Sequence, residues 1–513
     1  MPGLTDEPPE LIRSLRRPAC YDHAVGSVAL VETHISYVLL SGEFAYKIKK
    51  PLSLGFLDFS SLDKRLHACQ EEVRLNRRLA PAIYLDVVPI TGTPAAPHIN
   101  GSGEAIEYAV KMRQFPPDAT LDRLEAQGRL TASQVEAIAT SIARFHLQDC
   151  ARAGTGSPWG SPERVWQPLA QNFQQIAPRL TDPADRLQLD TLQGWSEAEH
   201  ARLAPLLAAR QRDGFIRECH GDLHLGNLAW VDDQLLVFDC LEFNPELRWI
   251  DIQSEIAFCY MDLMQRGRPD FAWLFLNVWL EHTGDHAGLA LLRYYAVYRA
   301  LVRAKVAVLR AGQTTGPDHD AALVEVRTLL QLATALTRPL PLRLDITHGF
   351  SGSGKTTVTQ TLMQTPGAIR LRSDVERKRL AGLDALARSG SDVGQQLYAA
   401  AATHRVYGHL ARLAGDLLDS GWPVIVDATC LARWQRELLR EQAQSRSVAF
   451  CILDFQVAVA TLRERIVRRA CAGNDASEAN LDVLRYQLDT ADALAADEQA
   501  DRVRFDEASQ LCP

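Results

Sequence analysis

The pattern of hydrophobic and polar positions reads as strands over residues 27–50 of this chain. Residues 27–32 (SVALVE) and 35–40 (ISYVLL) are two such runs, and the turn Ser41-Gly42-Glu43 leads into a third, FAYKIKK, at 44–50. Residues 61–80 switch to helical spacing until Pro81 stops them. Two further strands are predicted at 83–90 (IYLDVVPI) and 105–115 (AIEYAVKMRQF). The pattern is then mostly helical from about 121 to 212. A strand–loop–strand unit follows at about 215–240, and helices fill about 250–335. One of these helices, YYAVYRALVRAKVAVLRA, is basic and amphipathic, and a packed helix suits it better than a membrane-surface one. Thr337-Arg338-Pro339-Leu340-Pro341 breaks the helical pattern just before LRLDITHGF, a strand entering a glycine-rich turn. This places a domain boundary near 338, with one domain over 1–337 and another over 338–513. No tandem repeat or low-complexity tract is present.

Composition narrows the class. The 513 residues are 47% hydrophobic and 23% charged, as in ordinary globular proteins. The net charge of −8 disfavours a nucleic-acid binder relying on bulk positive charge, although a local basic cleft would remain compatible. No apolar run reaches the roughly 18–20 residues of a membrane span, and residues 1–18 lack the apolar core of a signal peptide. Ten cysteines without a C-x-x-C pair read as reduced, buried thiols of a cytoplasmic protein. Arginine is the default cation, at 47 against only eight lysines. The lysines therefore stand out, and Lys47, Lys49, Lys50 and Lys355 fall in suggestive places.

Gly349-Phe350-Ser351-Gly352-Ser353-Gly354-Lys355-Thr356 fits the phosphate loop G-x-x-x-x-G-K-[ST], between a predicted strand and the helical stretch that begins Thr356-Thr357. Glycines let backbone N–H groups turn toward phosphates, and the helix N-terminus adds its dipole. Lys355 would neutralise terminal phosphates, and the Thr356 hydroxyl would ligate Mg²⁺. Downstream, a short strand runs into Arg372-Ser373-Asp374 and then Arg377. A carboxylate at a strand end can accept a hydroxyl proton while arginines hold an anion; a plain helix cap at Ser373 or Asp374 is the competing reading. GWPVIVDAT reads as a buried parallel strand ending at Asp427, which suits the water shell of Mg²⁺. Arg465 and Arg469 share one helix face at i and i+4, where a lid would carry cations, or a solvated face would simply be basic. Over about 343–495 these segments, with the stretch Asp475-Ala476-Ser477-Glu478-Ala479, resemble the small P-loop kinases of the zeta-toxin and polynucleotide-kinase-like group. The resemblance implies phosphorylation of a hydroxyl, with Asp374 as base and Arg465 and Arg469 as lid arginines.

His220-Gly221-Asp222-Leu223-His224-Leu225-Gly226-Asn227 has the spacing H-x-D-x-x-x-x-N and resembles the catalytic loop of protein kinases, aminoglycoside phosphotransferases and choline kinases. The following hairpin delivers Asp239. In that logic Asp222 accepts the substrate proton, while Asn227 and Asp239 hold Mg²⁺. Lys47 and Lys49 lie on one face of a strand, and Lys47 aligns with the family's A-x-K. Glu72 is its expected helix partner, with Glu71 as the alternative, and the strand around 107–114 is the expected adenine hinge. No G-x-G-x-x-G precedes the lysine, and FDCLEF stands where D-F-G would be. His224 and His146 read as structural histidines, and Arg248-Trp249-Ile250-Asp251 as a buttress.

From about 20 to 495 the chain resembles the bacterial two-domain proteins called bifunctional aminoglycoside phosphotransferase/ATP-binding proteins. The resemblance implies an α+β two-lobed kinase-like domain followed by an α/β doubly wound parallel-sheet P-loop domain. It also implies ATP and Mg²⁺ as cofactors and a small-molecule hydroxyl as acceptor. Two other readings compete: a nucleotide sensor with one silent domain, and a nucleic-acid or nucleotide 5′-hydroxyl kinase in the second half.

Overall fold

The computed structural model describes residues 7–53, 57–384, 400–472 and 479–505. Its first sheet is antiparallel and six-stranded. It contains β1 (Ala29–Glu32), β2 (Ser36–Leu40), β3 (Phe44–Lys49), β4 (Tyr84–Thr93), β5 (Ala96–Ile99) and β6 (Ala105–Arg113), in the order β1-β2-β3-β6-β4-β5. The edge strand β5 goes unpredicted, because four residues including Pro97 carry too short an alternation. In β3 the alternation is decisive. Tyr46 and Ile48 join the apolar cluster on one sheet face, and Lys47 and Lys49 are left to the other. The helix Leu62–Asn76 covers that second face. Ser61 caps it by accepting a hydrogen bond from the Lys64 amide, and Ala68, Cys69, Glu72, Val73 and Asn76 are buried along it at helical spacing.

After a helical stretch come β7 (Ile216–Glu218), β8 (Leu228–Val231), β9 (Gln234–Val237) and β10 (Trp249–Asp251). β7 pairs with β10 and β8 with β9. Asp232 and Asp233 turn the β8–β9 hairpin with φ of 49° and 58°, matching the twist of a tight hairpin without glycine. Residues 1–131, 148–165 and 204–259 form one compact unit; 132–147, 166–203 and 260–513 form the other. The boundary expected near 338 therefore separates two sequence patterns but not these two units, since the helices before it share a unit with the P-loop fold.

That second unit contains a five-stranded parallel sheet of β11 (Arg343–His348), β12 (Ile369–Arg372), β13 (Val424–Asp427), β14 (Ala449–Phe455) and β15 (Arg502–Phe505). The order β12-β13-β11-β14-β15 places β11 where the winding reverses, so the crevice beyond its carboxyl end is a ready ligand site. β13 is buried on both faces, which explains its continuous apolar run Val424-Ile425-Val426, and β11 buries its four central residues. The basic amphipathic stretch lies in the helix Leu289–Ala311, which buries Leu291, Leu292, Tyr295, Leu301 and Val308 and packs along the helix Pro317–Thr337. Among the described residues no helix is long and apolar enough to cross a membrane.

Two buried groups of this unit make its stability sensitive to acid. Burial drives His286 from its ordinary 6.5 to about 4. Burial pushes Glu376 up, but a hydrogen bond from His409 and the charges of His286 and Arg379 hold it at about 2. Both folded values lie below the unfolded ones, so both contributions are complete at high pH and lost as pH falls. The melting temperature is expected to be level above pH 6.5, to fall from there toward pH 4 as the unfolded chain takes up the His286 proton, and to keep falling toward pH 2 through Glu376. Calorimetry across pH 7.5 to 3.5 checks this, and His286→Gln should flatten the step between pH 6.5 and 4.

Candidate active sites

In the first unit, three distant segments converge on one lysine. Lys47 Nζ on β3 lies 2.8 Å from Glu72 Oε1 on the helix Leu62–Asn76 and 2.5 Å from Asp239 Oδ1 after β9. Lys49 pairs with the other oxygen of Glu72 and with Glu242. Glu72 thus bridges both lysines. Glu71, the alternative, is turned away to Arg74 at 2.9 Å and Arg248 at 3.3 Å. The two lysines differ in setting. Lys49 is 0% exposed among buried partners, whereas the Asp239 side chain facing Lys47 is 46% exposed and opens the cluster to solvent. Three carboxylates surround two ammonium groups. Burial works against the Lys47 charge, but Asp239, Glu72 and Glu242 outweigh it and hold Lys47 well above its ordinary value. Burial raises Glu72 and Asp239 too, and the lysines outweigh it and keep both low. For Glu242 burial wins, reinforced by Glu72, and its pKa is raised.

The loop after β7 holds Asp222 beside this cluster's strand pair. Asn227 Nδ2 donates to both the backbone oxygen and Oδ2 of Asp222 at 2.9 Å, which leaves the amide oxygen as the end suited to a cation. His220 is buried; its Nδ1 accepts from the Asp222 amide at 3.3 Å and its Nε2 meets the Phe238 carbonyl at 2.8 Å, so it ties the Asp222 loop to the strand that delivers Asp239. His224 lies 3.4 Å from Asp222 Oδ2 and also accepts from the Gly226 amide, and His146 accepts from Trp279 Nε1 at 3.2 Å, a structural setting for each. Asp239 itself has a left-handed backbone with φ of 62°, an unfavourable state for a non-glycine residue that the surrounding contacts impose. Its amide donates to the Tyr84 hydroxyl at 3.1 Å, and the next amide, of Cys240, donates to Asn76 Oδ1 at 2.9 Å. An exposed carboxylate, a second carboxylate and an amide oxygen form a hard-oxygen set of the kind Mg²⁺ takes.

The strand expected as the hinge lies inside the sheet: β6 pairs with β3 over Ala109–Arg113 and with β4 over Ala105–Met112, and Gln114 donates its amide to the Glu43 carbonyl. Sequence reasoning also missed Glu242 and Glu255. The buried Glu255 carboxylate accepts from the amides of His220 and Gly221 at 2.9 and 3.0 Å, anchoring the His220-Gly221 turn from a helix. Nothing local in the sequence marks Glu255; Glu242 could have been suspected from its place three residues after Asp239. Arg248 and Asp251 do act as buttresses, Arg248 on Glu218 and the Glu242 carbonyl, Asp251 in a two-pronged pair with Arg210 at 2.7 and 2.8 Å.

In the second unit, the phosphate loop leaves β11 at the switch point. Gly352 and Gly354 take φ of 85° and 90°, and a Cβ on Gly352 would lie 3.1 Å from the Leu462 carbonyl. The helix Lys355–Leu362 starts at the lysine, whose Nζ donates to the carbonyls of Gly349 (2.9 Å) and Phe350 (2.7 Å). Ser351 and Ser353 are buried in the loop, while Thr356 is half-buried and Thr357 exposed at the helix start. Asp427 closes β13 beneath them and accepts from Thr359 Oγ1 at 3.2 Å. Arg465 reaches over the loop, with Nη1 3.5 Å from the Gly352 carbonyl. The Arg469 side chain and residues 475–478 lie outside the described residues. Gln487, which carried no sequence signal, accepts from the Ser351 amide and donates to its hydroxyl, both at 3.0 Å.

Asp374 sits half-buried in the first turn of the helix Ser373–Leu380, and Arg377 is buried on the same helix. The competing cap reading fails, because Arg372 occupies the cap position and no side chain caps the helix. Arg372 lies level with Asp427 on the neighbouring strand and pairs with Glu281 at 3.3 Å.

Residues 344–494 match the family model described as an AAA domain. The uncharacterized protein Rv2004c of Mycobacterium tuberculosis (strain ATCC 25618 / H37Rv) is 31% identical over 452 residues, covering 87% of each chain. Among solved structures, the chain is similar to choline kinase from Cryptosporidium parvum Iowa II, with 11% identity, 60% of this chain and 89% of that one covered, and a TM-score of 0.37. It is also similar to a gluconokinase from Sinorhizobium meliloti 1021, with 20% identity, 33% and 85% covered, and a TM-score of 0.24.

Proposed function

This chain belongs to the family of the Mycobacterium tuberculosis protein Rv2004c, and on that premise we propose that it is an ATP-dependent kinase with two Mg²⁺-ATP sites. One site belongs to 1–337 and the other to 338–513, and each passes the γ-phosphate to a hydroxyl of a small molecule. The observation that carries this reading is the convergence of Lys47, Glu72 and Asp239 within 2.8 Å in one site, alongside a glycine-turned loop aimed at a helix start in the other.

In the first site Lys47, held by Glu72, binds phosphate oxygens. Asp239 and Asn227 hold Mg²⁺, and Asp222 orients the acceptor hydroxyl and takes its proton. In the second, the backbone of Gly349 to Thr357 cradles the phosphates and Lys355 neutralises them. Thr356 and Asp427 would hold the metal, Asp374 takes the proton, Arg372 and Arg377 hold the acceptor, and Arg465 and Arg469 close over the transferring group. Bound Mg²⁺ would neutralise charge that develops on the phosphates. Eight described cysteines are free thiols, which supports a reducing compartment, the cytoplasm.

The test is transfer from γ-labelled ATP to a small-molecule extract by wild type, Asp222→Ala and Lys355→Ala. Loss of a different product in each variant supports two active sites. Loss in one variant alone assigns the chemistry to that site. ATP binding without any product would sink the metabolite-kinase reading.

A further inference from the structure

The strand β12 carries Arg370 and Arg372 on one face, two residues apart, at the edge of the parallel sheet. Neither faces bulk water: Arg370 is 4% and Arg372 is 14% exposed at the side chain. Two buried guanidinium groups on one face need a carboxylate, and none on their own strand supplies it. It comes from the helix Pro269–Thr283, which precedes the expected boundary. Glu281 Oε1 takes Arg370 Nη2 at 2.8 Å, and Oε2 takes Arg372 Nη1 at 3.3 Å. Burial pushes the Glu281 pKa up, but Arg370 and Arg372 outweigh it and keep the carboxyl charged.

The same helix docks on β12 through a second device. Asn277 donates to the Ala368 carbonyl at 2.9 Å and accepts from the Arg370 amide at 2.7 Å, as a neighbouring strand would. Trp273 fills the space over Gly367, where a Cβ would lie 2.2 Å from the indole nitrogen. The two devices do different work. Asn277 bonds only to backbone, and Trp273 packs over Gly367 and against the rings of Tyr260 and Trp422, so both are structural. Glu281 leads into the site, because Arg370 Nη1 also reaches the Thr356 carbonyl at 3.3 Å, in the first turn of the phosphate-loop helix, and Arg372 immediately precedes Ser373-Asp374.

We infer that Glu281 is a positioning residue of the P-loop site: it sets Arg370 under the Thr356 turn and aims Arg372 beside Asp374, so part of the second kinase site is built by a helix from the first half of the chain. This rests on the P-loop phosphotransfer proposed above. A helix that supplies glue alone would be replaceable by any well-packed surface; a shared carboxylate that fixes two cations is not, because one oxygen is committed to each.

The test uses the full chain with Asp222→Ala to silence the first site. Lys355-dependent release of phosphate from ATP, ATP affinity by a fluorescent analogue, and melting temperature are read for Glu281→Gln, Glu281→Asp and Asn277→Ala. Glu281→Gln is expected to lower kcat by about tenfold, with ATP affinity within about threefold, because alignment and not nucleotide binding is lost. Glu281→Asp, which reaches only one arginine, should fall between. Asn277→Ala should lower the melting temperature with kcat kept. A Glu281→Gln kcat within twofold of the parent would overturn the inference. If Glu281→Gln does not fold, Glu281→Asp decides: reduced kcat at an unchanged melting temperature upholds the inference, and unchanged kcat overturns it. Absence of Lys355-dependent turnover in the parent would instead remove the P-loop reading itself, and this inference with it.

Discussion

Lys355→Ala is expected to lower turnover of Mg²⁺-ATP at the P-loop site by roughly 10²–10³-fold, the scale seen when one preorganised charge-stabilising donor is lost. Lys355 begins its helix, is 9% exposed, and folds back onto the carbonyls of Gly349 and Phe350 at 2.9 and 2.7 Å. It is therefore held inside the cradle before any nucleotide arrives and has only to exchange carbonyl partners for phosphate oxygens. Losing those two contacts should cost little stability, since both carbonyls lie in a loop that water can reach once the side chain is gone. Lys355→Arg is not expected to rescue, because a planar guanidinium does not fit the place of a compact ammonium. The measurement is phosphate release in an Asp222→Ala background, with melting temperature as the control. Retention of more than half the parental rate would contradict the assigned role.

The second large effect separates the two lysines of β3. Lys49→Met is expected to destabilise the protein by about 3–5 kcal/mol, the usual result of removing one partner from a buried ion pair. Glu72 would keep Lys47, but Glu242, 3% exposed at its side chain, would face Glu72 without a cation between them. Lys47→Met should cost less stability, because Asp239 reaches solvent at 46% exposure and Glu72 retains Lys49. It should nonetheless remove turnover at the first site, since Lys47 alone reaches both Glu72 and Asp239. Denaturant unfolding and activity measured on both variants give a crossed pattern: Lys49→Met unstable, Lys47→Met stable and inactive. Equal losses of stability would show that the cluster acts as one structural block.

How far these sites were legible follows from what kind of signal each residue carries. The phosphate loop was readable because its chemistry is local: backbone amides, a left-handed glycine, a lysine and a threonine must follow one another on the chain. The β3 lysines were readable as a pair because a period of two puts Lys47 and Lys49 on one face. Local pattern could not choose between Glu71 and Glu72, which point about 100° apart on a helix; that depends on how the helix lies on the sheet. The same limit applies to 105–115, which reads as a strand in any position; only the order β3-β6-β4 shows that it lies inside the sheet.

The amino-acid pattern by itself determined most element types and the spacing of two motifs, Asp222 with Asn227 and Gly349 through Thr356. Tertiary structure alone decided the long-range electrostatics. Glu242 became the second partner of Lys49, Glu255 the anchor of the His220 and Gly221 amides, and Glu281 the shared counter-charge of Arg370 and Arg372. The physical reason is the same in each case. A buried charge must find an opposite charge or a set of donors, but it can find them on any segment that folding brings within about 3 Å, and no periodicity in the chain records that meeting.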